Sequence, residues 1–142
     1  QSERKSCEAG GILIGRENCG NSNLIIEFIT EPMTADQRSR NRFLRKDKRH
    51  LDFFKKLYEE NEGVYGYMGE WHTHPENIPQ YSFIDSNNWK KIGKEMKGGI
   101  QYHIIAGIQE VGIWEYNAVQ KRITKICSID WKGILKENET II

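Results

Sequence analysis

Short apolar segments separated by polar ones recur along the chain, a pattern typical of β-strands. Residues 10–15 and 23–30 are rich in Ile and Leu and are bounded by Gly, Asn and Ser, which predicts two buried strands. Residues 31–46 are polar and irregular, so we expect a long loop there with an extended piece at 42–44. Four more strands are predicted over residues 64–72, 102–106, 111–116 and 121–128.

Two other segments have apolar residues at the three- and four-residue spacing of an amphipathic helix. The apolar positions are Leu51, Phe54, Leu57 and Tyr58 in the first segment and Trp89, Ile92 and Met96 in the second. The first helix is predicted over residues 47–61, beginning at Asp47 and stopped by Gly63, and the second over residues 83–97. Strands before, between and after two helices predict an α+β fold with a mixed β-sheet packed with helices, as a single domain over residues 1–142.

Composition and charge narrow the possible functions. Apolar residues make up 37% of the 142 residues and charged residues 29%, which is typical of a globular chain. The 21 Lys and Arg residues balance 20 Asp and Glu residues, so no large net charge attracts nucleic acid or a membrane surface. No apolar run approaches the ~18 residues of a membrane span. Since no export signal is evident, we expect Cys7, Cys19 and Cys127 to be free thiols in a cytoplasmic protein.

The chemistry of the chain is concentrated in residues 70–85. His72 and His74 lie two residues apart at the end of a predicted strand, so their side chains point to the same face and can bind one metal ion at ~2.0–2.1 Å each. After seven more residues come Ser82 and Asp85, at the start of the second helix, where Asp85 offers a third ligand. Three N and O ligands with a fourth position for water describe a catalytic zinc rather than a structural one.

Each piece of this pattern also has an ordinary structural explanation. A His-x-His pair on a strand is more often a surface pair than a metal site. Ser-x-x-Asp is also a common helix start, in which the serine caps a backbone N–H group. The two explanations are compatible at Asp85, because a helix cap fixes where that side chain points. The combination of His-x-His and Ser-x-x-Asp at this spacing is rare. By chance it is expected in about one of every several thousand chains of average composition.

The chain resembles the JAMM metalloproteases, whose domain is also called MPN+. The resemblance lies in HTHP at 72–75, SFID at 82–85 and Glu8, which precedes the glycine-rich residues 10–15. The resemblance covers most of the chain and implies an α+β fold of the MPN/JAB type. Family members usually have a strand and a helix ahead of the acidic residue. Because only seven residues precede Glu8, we expect that element to be missing or trimmed.

The resemblance implies a metallopeptidase with one zinc ion per chain. In it, His72, His74 and Asp85 correspond to the zinc ligands. Glu8 corresponds to the general base that takes a proton from the zinc-activated water. Ser82 corresponds to the donor that stabilises charge on the carbonyl oxygen. Without the resemblance, Glu8 alone would be interpreted as a solvated loop acid.

Four other residues suggest smaller hypotheses. Glu70 lies two residues before His72 on the same strand face, so it is either hydrogen-bonded to an imidazole ligand or a surface acid. Cys7 is expected to be a small buried thiol rather than a nucleophile. His103 lies among apolar residues and is expected to be a packed, hydrogen-bonded core histidine, whereas His50 lies in a basic run with no evident partner.

A narrower resemblance involves residues 32–50, which contain a proline, Arg-x-Arg and Phe-x-Arg-x-Asp before a His-containing helix. With GEWHTHP at 69–75 and Trp89, this segment is similar to the JAB proteases of bacterial CBASS anti-phage operons. In those operons an E1–E2-like enzyme conjugates the C-terminus of a cGAS/DncV-like nucleotidyltransferase to target molecules, and the JAB protein removes the conjugate. The resemblance therefore implies a cytoplasmic isopeptidase whose partner is a protein substrate with an extended C-terminal tail.

Several alternatives remain open. JAMM relatives also cut ubiquitin and ubiquitin-like tails, process sulfur carriers or act in phage tails, and a non-catalytic MPN-like fold would be a scaffold or a nucleic-acid-binding module. The seven basic residues between positions 38 and 49 are either a solvated face or a surface for an acidic partner. Nucleic acid is the less favoured partner, because Phe43 is the only aromatic residue among them.

Overall fold

The computed structural model describes residues 7–17 and 24–133 and shows strands and helices in the predicted combination. The strands are β1 (Gly10–Glu17), β2 (Leu24–Ile29), β3 (Gln37–Ser39), β4 (Arg42–Leu44), β5 (Gly66–Thr73), β6 (Ile100–Ala106), β7 (Glu110–Asn117) and β8 (Arg122–Asp130), and the helices are α1 (Arg49–Glu60) and α2 (Phe83–Glu95). The predicted α+β class is confirmed. The chain divides into two compact units, Gln1–His72 and Thr73–Ile142.

In the unit Gln1–His72, strand β1 lies between β2 and β5 and pairs antiparallel with both. Its central residues Ile12, Leu13 and Ile14 are at most 1% exposed. A continuous apolar run of this kind is typical of a strand that is covered on both faces. The register places Gly10 opposite His72, so the residues that precede β1 lie near the end of β5.

Strand β2 was also predicted to be buried, and that prediction was wrong. Ile26 is 36% exposed and Ile29 is 53% exposed. The reason is the position of β2 at the end of the strand order, where it pairs with β1. An apolar composition predicts a strand, but it does not distinguish a central strand from an edge strand.

The segment predicted as a long loop contains a small hairpin. The extended piece at 42–44 is confirmed as β4, and it pairs antiparallel with β3, which the sequence pattern did not indicate. Asp36 closes the base of this hairpin, because its Oδ1 accepts the backbone N–H groups of Lys46 and Asp47, both at 2.8 Å. The strands are only three residues long, so side-chain hydrogen bonds of this kind stabilise the hairpin where its ladder is short.

Helix α1 begins at Arg49 rather than at Asp47. The Asp47 carboxylate is occupied instead by the Arg49 side chain and by the amides of Ala35 and Arg49. Chiefly through the Arg49 guanidinium, these contacts hold the pKa of Asp47 well below its usual range. The predicted apolar face of α1 is largely exposed, with Leu51 at 44% and Tyr58 at 49%.

The buried residue of α1 is His50, which is 0% exposed. Its Nδ1 lies 2.5 Å from Thr30 Oγ1 and its Nε2 lies 2.5 Å from Asp36 Oδ2. The absence of an evident partner for His50 in the sequence was therefore misleading, because both partners lie at least 14 positions away. Buried polar side chains are normally hydrogen-bonded in this way.

In the unit Thr73–Ile142, strands β6, β7 and β8 form an antiparallel meander. Its core contains Trp89 of α2 with Ile105, Trp114 and Tyr116, which are all at most 3% exposed. His103 is buried and stacks on Trp89 with ring centroids 4.2 Å apart. Its predicted packing in the core is therefore confirmed, and the predicted hydrogen bond of its ring stays a prediction. Within the described residues, no helix is long and apolar enough to cross a membrane.

Candidate metal centre

Strand β5 presents the two histidines at its end. His72 is the penultimate residue of the strand and is 9% exposed, and His74 follows the last residue. The backbone N–H of His74 donates to the carbonyl of Ala106 at 3.0 Å, which fixes the chain at this point against the end of β6. The side chain of His74 is also only 9% exposed.

Helix α2 presents the carboxylate through a capping box. The Asp85 amide donates to Ser82 Oγ at 3.1 Å, and the Ser82 amide donates to Asp85 Oδ2 at 2.8 Å. Both orphan donors at the helix start are satisfied by this reciprocal pair. The same Asp85 Oδ2 lies 3.2 Å from His74 Nε2. The helix cap and the orientation of Asp85 toward the histidine are therefore present together, as the sequence allowed.

His72, His74 and Asp85 form a group that could hold one metal ion. Each offers one ligand atom, and the three atoms lie within 4.8 Å of one another. For bonds of ~2.0–2.1 Å in a tetrahedral arrangement, two ligand atoms are about 3.3 Å apart, close to the observed 3.2 Å between His74 Nε2 and Asp85 Oδ2. Two imidazoles and a carboxylate are also a donor set typical of catalytic zinc. The side chains therefore fit the predicted ion, although zinc binding itself stays a prediction.

Glu76 is a residue that the sequence interpretation missed. Its Oε1 lies 2.9 Å from Nδ1 of His74. A carboxylate on the far nitrogen of a ligand histidine fixes the tautomer, so that Nδ1 carries the proton and Nε2 keeps its lone pair for a metal. The signal was present in the chain, because an acid two residues after a ligand histidine is close enough to reach its ring.

Glu8 precedes the first residue of β1 and is buried, at 5% exposure. It lies two residues before Gly10, which faces His72 in the register of β1 with β5. The Glu8 amide donates to the carbonyl of Ser39 at 2.7 Å, and the Glu8 carbonyl accepts from Arg38 Nε at 2.9 Å. The alternative of a solvated loop acid does not hold, because Glu8 is only 5% exposed. Hairpin β3–β4 anchors its segment through the main chain.

Hairpin β3–β4 also packs against the first residue of β1, and this close packing requires a glycine at position 10. A Cβ atom at this position would lie 2.4 Å from Cδ1 of Phe43, which is part of β4. The Phe43 ring therefore occupies the space that a side chain at position 10 would need. The glycine-rich start of β1 is explained by this close approach.

Cys7 adjoins Glu8 and was expected to be buried, but it is exposed. Arg38 Nη2 donates to the Cys7 carbonyl at 3.3 Å, so the segment is held through its main chain and the thiol is not needed for packing. Cys127 is likewise free and exposed. Cys19 lies outside the described residues.

Glu70 is a buried, hydrogen-bonded carboxylate and not a surface acid. It is 7% exposed, and its carboxylate accepts two hydrogen bonds from Arg45, at 3.0 and 3.1 Å, and one from the Tyr67 hydroxyl at 2.7 Å. Burial, and then the charge of Glu70, raise the pKa of Tyr67 well above its usual range, so this hydroxyl remains a donor. A hydrogen bond from Glu70 to an imidazole ligand stays a prediction.

Three of the basic residues between positions 38 and 49 are used within their own unit. Arg38 holds the Glu8 segment, Arg45 pairs with Glu70, and the Arg49 guanidinium pairs with Asp47 at 2.7 Å. These arginines are therefore structural. The charges of Arg45 and Arg49 are balanced by Glu70 and Asp47, which reduces the charge that the stretch offers to an acidic partner or to nucleic acid.

Three curated proteins are similar to this chain, and each is named CD-NTase/cGAS isopeptidase. The Escherichia coli protein is 40% identical over 89 residues, which cover 63% of this chain and 56% of the relative. The Pseudomonas aeruginosa protein is 32% identical over 97 residues, 68% of this chain and 60% of the relative. The Vibrio cholerae serotype O1 protein is 36% identical over 84 residues, 59% of this chain and 53% of the relative. The chain thus spans slightly more than half the length of the relatives it matches.

The match to a protein family is more extensive. The family described as prokaryotic homologs of the JAB domain matches residues 1–119, a range that includes Glu8, both histidines and the Ser82–Asp85 capping box. The resemblance to JAMM proteins inferred from HTHP and SFID is confirmed by this match, and so is the JAB type of the fold. The chain belongs to the family of prokaryotic JAB-domain homologs.

Proposed function

We propose that this chain is the zinc-dependent isopeptidase domain of a protein that removes nucleotidyltransferase conjugates. The observation on which the proposal rests is the convergence of His72, His74 and Asp85, whose ligand atoms lie within 4.8 Å of one another. The three relatives named CD-NTase/cGAS isopeptidase support the substrate class.

The protein side chains divide the hydrolysis between them. His72, His74 and Asp85 would hold one zinc ion per chain. When bound, zinc supplies a Lewis acid that polarises the scissile carbonyl and lowers the pKa of water toward ~7. Glu76, through its 2.9 Å contact with His74 Nδ1, keeps the other ring nitrogen oriented as a ligand.

Glu8 is the proposed general base and then the general acid. Its carboxylate takes a proton from the attacking water as the new C–O bond forms. It then gives a proton to the departing amine as the C–N bond breaks, which leaves a free carboxylate on the tail and an amine on the former conjugate. Burial of Glu8 at 5% exposure suits this role, because a carboxylate shielded from bulk water keeps the proton within the site.

Ser82 is the proposed donor to the carbonyl oxygen. Its Oγ already accepts the Asp85 amide at 3.1 Å, and a hydroxyl that accepts one bond still has its own hydrogen to donate. A hydrogen bond to the carbonyl oxygen strengthens as negative charge develops there, which lowers the barrier. Because Ser82 also caps α2, its position is fixed before substrate binds.

The biological setting that fits this chemistry is a cytoplasmic conjugation pathway. An E1–E2-like enzyme would attach the C-terminus of a cGAS/DncV-like nucleotidyltransferase to its target in a CBASS anti-phage operon, and this protein would reverse the attachment. The substrate would present an extended C-terminal tail, which fits beside a strand as an added strand does.

The proposal is tested with a fusion in which the C-terminus of a cGAS/DncV-like nucleotidyltransferase is joined by an isopeptide bond to a lysine side chain of a reporter protein. Cleavage is followed on gels for the zinc-loaded chain, for the chain treated with a chelator, and for the treated chain given zinc again. Parallel reactions use a ubiquitin-like fusion and a sulfur-carrier fusion.

We expect zinc-dependent release of the reporter at the fusion junction with the nucleotidyltransferase substrate. Cleavage of the ubiquitin-like or sulfur-carrier fusion alone would keep the metallopeptidase and overturn the proposed substrate. If zinc binds and none of the three fusions is cleaved, the proposal of an isopeptidase is wrong.

A further inference from the structure

A pocket of about 590 Å³ lies in the unit Thr73–Ile142, beside the C-terminal half of α2 and the turn between β7 and β8. Four lysines line it: Lys90, Lys94, Lys97 and Lys121. Tyr116 packs closely on Gly93 at one side of the pocket, because a Cβ atom on Gly93 would lie 2.8 Å from the Tyr116 ring. The pocket is separate from the residues proposed for hydrolysis.

In the part of the chain that the structure describes, no acidic group balances the charge of this pocket. No carboxylate is among its lining residues, and within residues 7–17 and 24–133 none of the four lysines forms an ion pair. Arg45, by contrast, is paired with Glu70. Four like charges around one hollow repel one another unless an anion enters it.

Stabilisation of the helix end explains only part of this arrangement. A lysine in the last turn, such as Lys94, interacts favourably with the carbonyl end of a helix. Lys90 and Lys94 are four positions apart on the same face, where two positive charges are mildly destabilising. Lys121 comes from a different element and is held in the left-handed region, with φ of 54°. The turn that places it is fixed by Asn117 Oδ1, which accepts the amides of Val119 and Gln120 at 3.0 Å each.

We propose that this lysine pocket binds a small molecule that carries two or more phosphate groups. Its volume lies in the ~300–1,000 Å³ range of small-ligand sites. Lysine ammonium groups are compact point charges that suit phosphate oxygens, and several lysines around one hollow can each contact a different phosphate. A single monovalent anion would leave most of the charge unbalanced.

The test is a calorimetric titration of the folded chain with inorganic tripolyphosphate and with ATP. Adenosine is the uncharged probe and a peptide of ten glutamates is the acidic-protein probe. Each titration is run on metal-free and on zinc-loaded protein, because polyphosphates also chelate zinc and metal removal must not be mistaken for binding. The pocket variant is Lys94→Gln/Lys97→Gln, and the matched control is Lys48→Gln/Lys55→Gln, which removes the same charge from exposed positions near and in α1.

We expect tripolyphosphate and ATP to bind the metal-free chain, and the pocket variant to bind at least about tenfold more weakly. The control variant should change the affinity by less than about twofold. Should Lys94→Gln/Lys97→Gln fail to fold, Lys90→Gln/Lys121→Gln is assessed by the same criterion. The proposal is overturned if neither phosphate probe binds at millimolar concentration, if pocket and control variants bind equally, or if the glutamate peptide alone binds. Failure here leaves the isopeptidase proposal intact, since no residue is shared.

Discussion

The two groups of residues proposed for hydrolysis are held in very different ways. On the ligand side, Asp85 is fixed by Ser82, three positions away, and His74 by Glu76, two positions away. On the base side, Glu8 is fixed by Arg38 and Ser39, at separations of 30 and 31 positions. The side chains of Asp85 and His74 are therefore oriented by contacts within one short segment, whereas the Glu8 segment is anchored by a distant hairpin.

This difference teaches that metal binding and proton transfer can be damaged separately. A change near Asp85 or His74 should affect how much metal the chain holds. A change in hairpin β3–β4 should affect the rate at which the metal-loaded chain works. The predictions that follow test this separation, starting with the largest expected effect.

Replacing a ligand should abolish both properties together. In His74→Ala the chain loses one of three ligand atoms and also the contact with Asp85 Oδ2, so we expect bound zinc and cleavage both to fall to background. Zinc is measured by mass spectrometry on dialysed protein, and folding by circular dichroism. A His74→Ala chain that still holds one equivalent of zinc would show that the ligand assignment is wrong.

Removing the support of a ligand should weaken metal binding without abolishing it. In Glu76→Ala, Nδ1 of His74 loses its carboxylate partner, and we expect zinc affinity to fall about 10–100-fold. Affinity is measured by competition with a chromophoric chelator. Glu76→Gln, which keeps an acceptor at the same place, should recover part of the affinity. Glu95→Ala, at an exposed position of α2, is the control and should bind zinc as the unmodified chain does.

Loosening the hairpin should slow the reaction at full zinc content. In Arg38→Met the hydrogen bonds to the carbonyls of Glu8 and Cys7 are lost, and we expect kcat to fall about tenfold, because displacements of about 1 Å at a reacting group cost up to ~100-fold. Zinc content should not change. The control is Arg40→Met in the exposed turn of the same hairpin. An equal loss of rate in both variants would contradict the assigned role of Arg38.

The smallest effect is expected at Asp36, which closes the base of the hairpin. Burial alone would raise the pKa of Asp36, but the amides of Asp47, Met33 and Lys46 and the ring of His50 together lower it below its ordinary value. A lowered pKa means that Asp36 stabilises the fold above about pH 4 and that this contribution is lost as the pH falls through the folded pKa.

In Asp36→Asn we therefore expect a lower free energy of unfolding at pH 7, by about 1–3 kcal/mol, and a weaker loss of stability below pH 4. Both are measured by urea unfolding at a series of pH values. Asp52→Asn, at an exposed position of α1, should behave like the unmodified chain. A steeper acid loss in Asp36→Asn than in the unmodified chain would be the contrary result.

The same contrast explains what the sequence could predict. The His-x-His pair, the capping box and the buried strand β1 follow from local spacing, and each is present where the pattern placed it. The Arg38 contact and the burial of His50 depend on residues 14 or more positions apart, which no local pattern indicates. Strand β3 pairs with β4 over only three to seven positions, but its polar residues carry no apolar alternation that would predict a strand. The charge of the arginine run was visible, but its use in anchoring Glu8 and Glu70 required the fold.

The most direct test of the account is a paired measurement of bound zinc and cleavage rate on Glu8→Gln. We predict one zinc ion per chain, as in the unmodified protein, with a rate lower by about 100- to 10,000-fold, the usual contribution of a general acid–base group. Cleavage at the unmodified rate with zinc bound would contradict the assignment of Glu8 as the group that moves the proton.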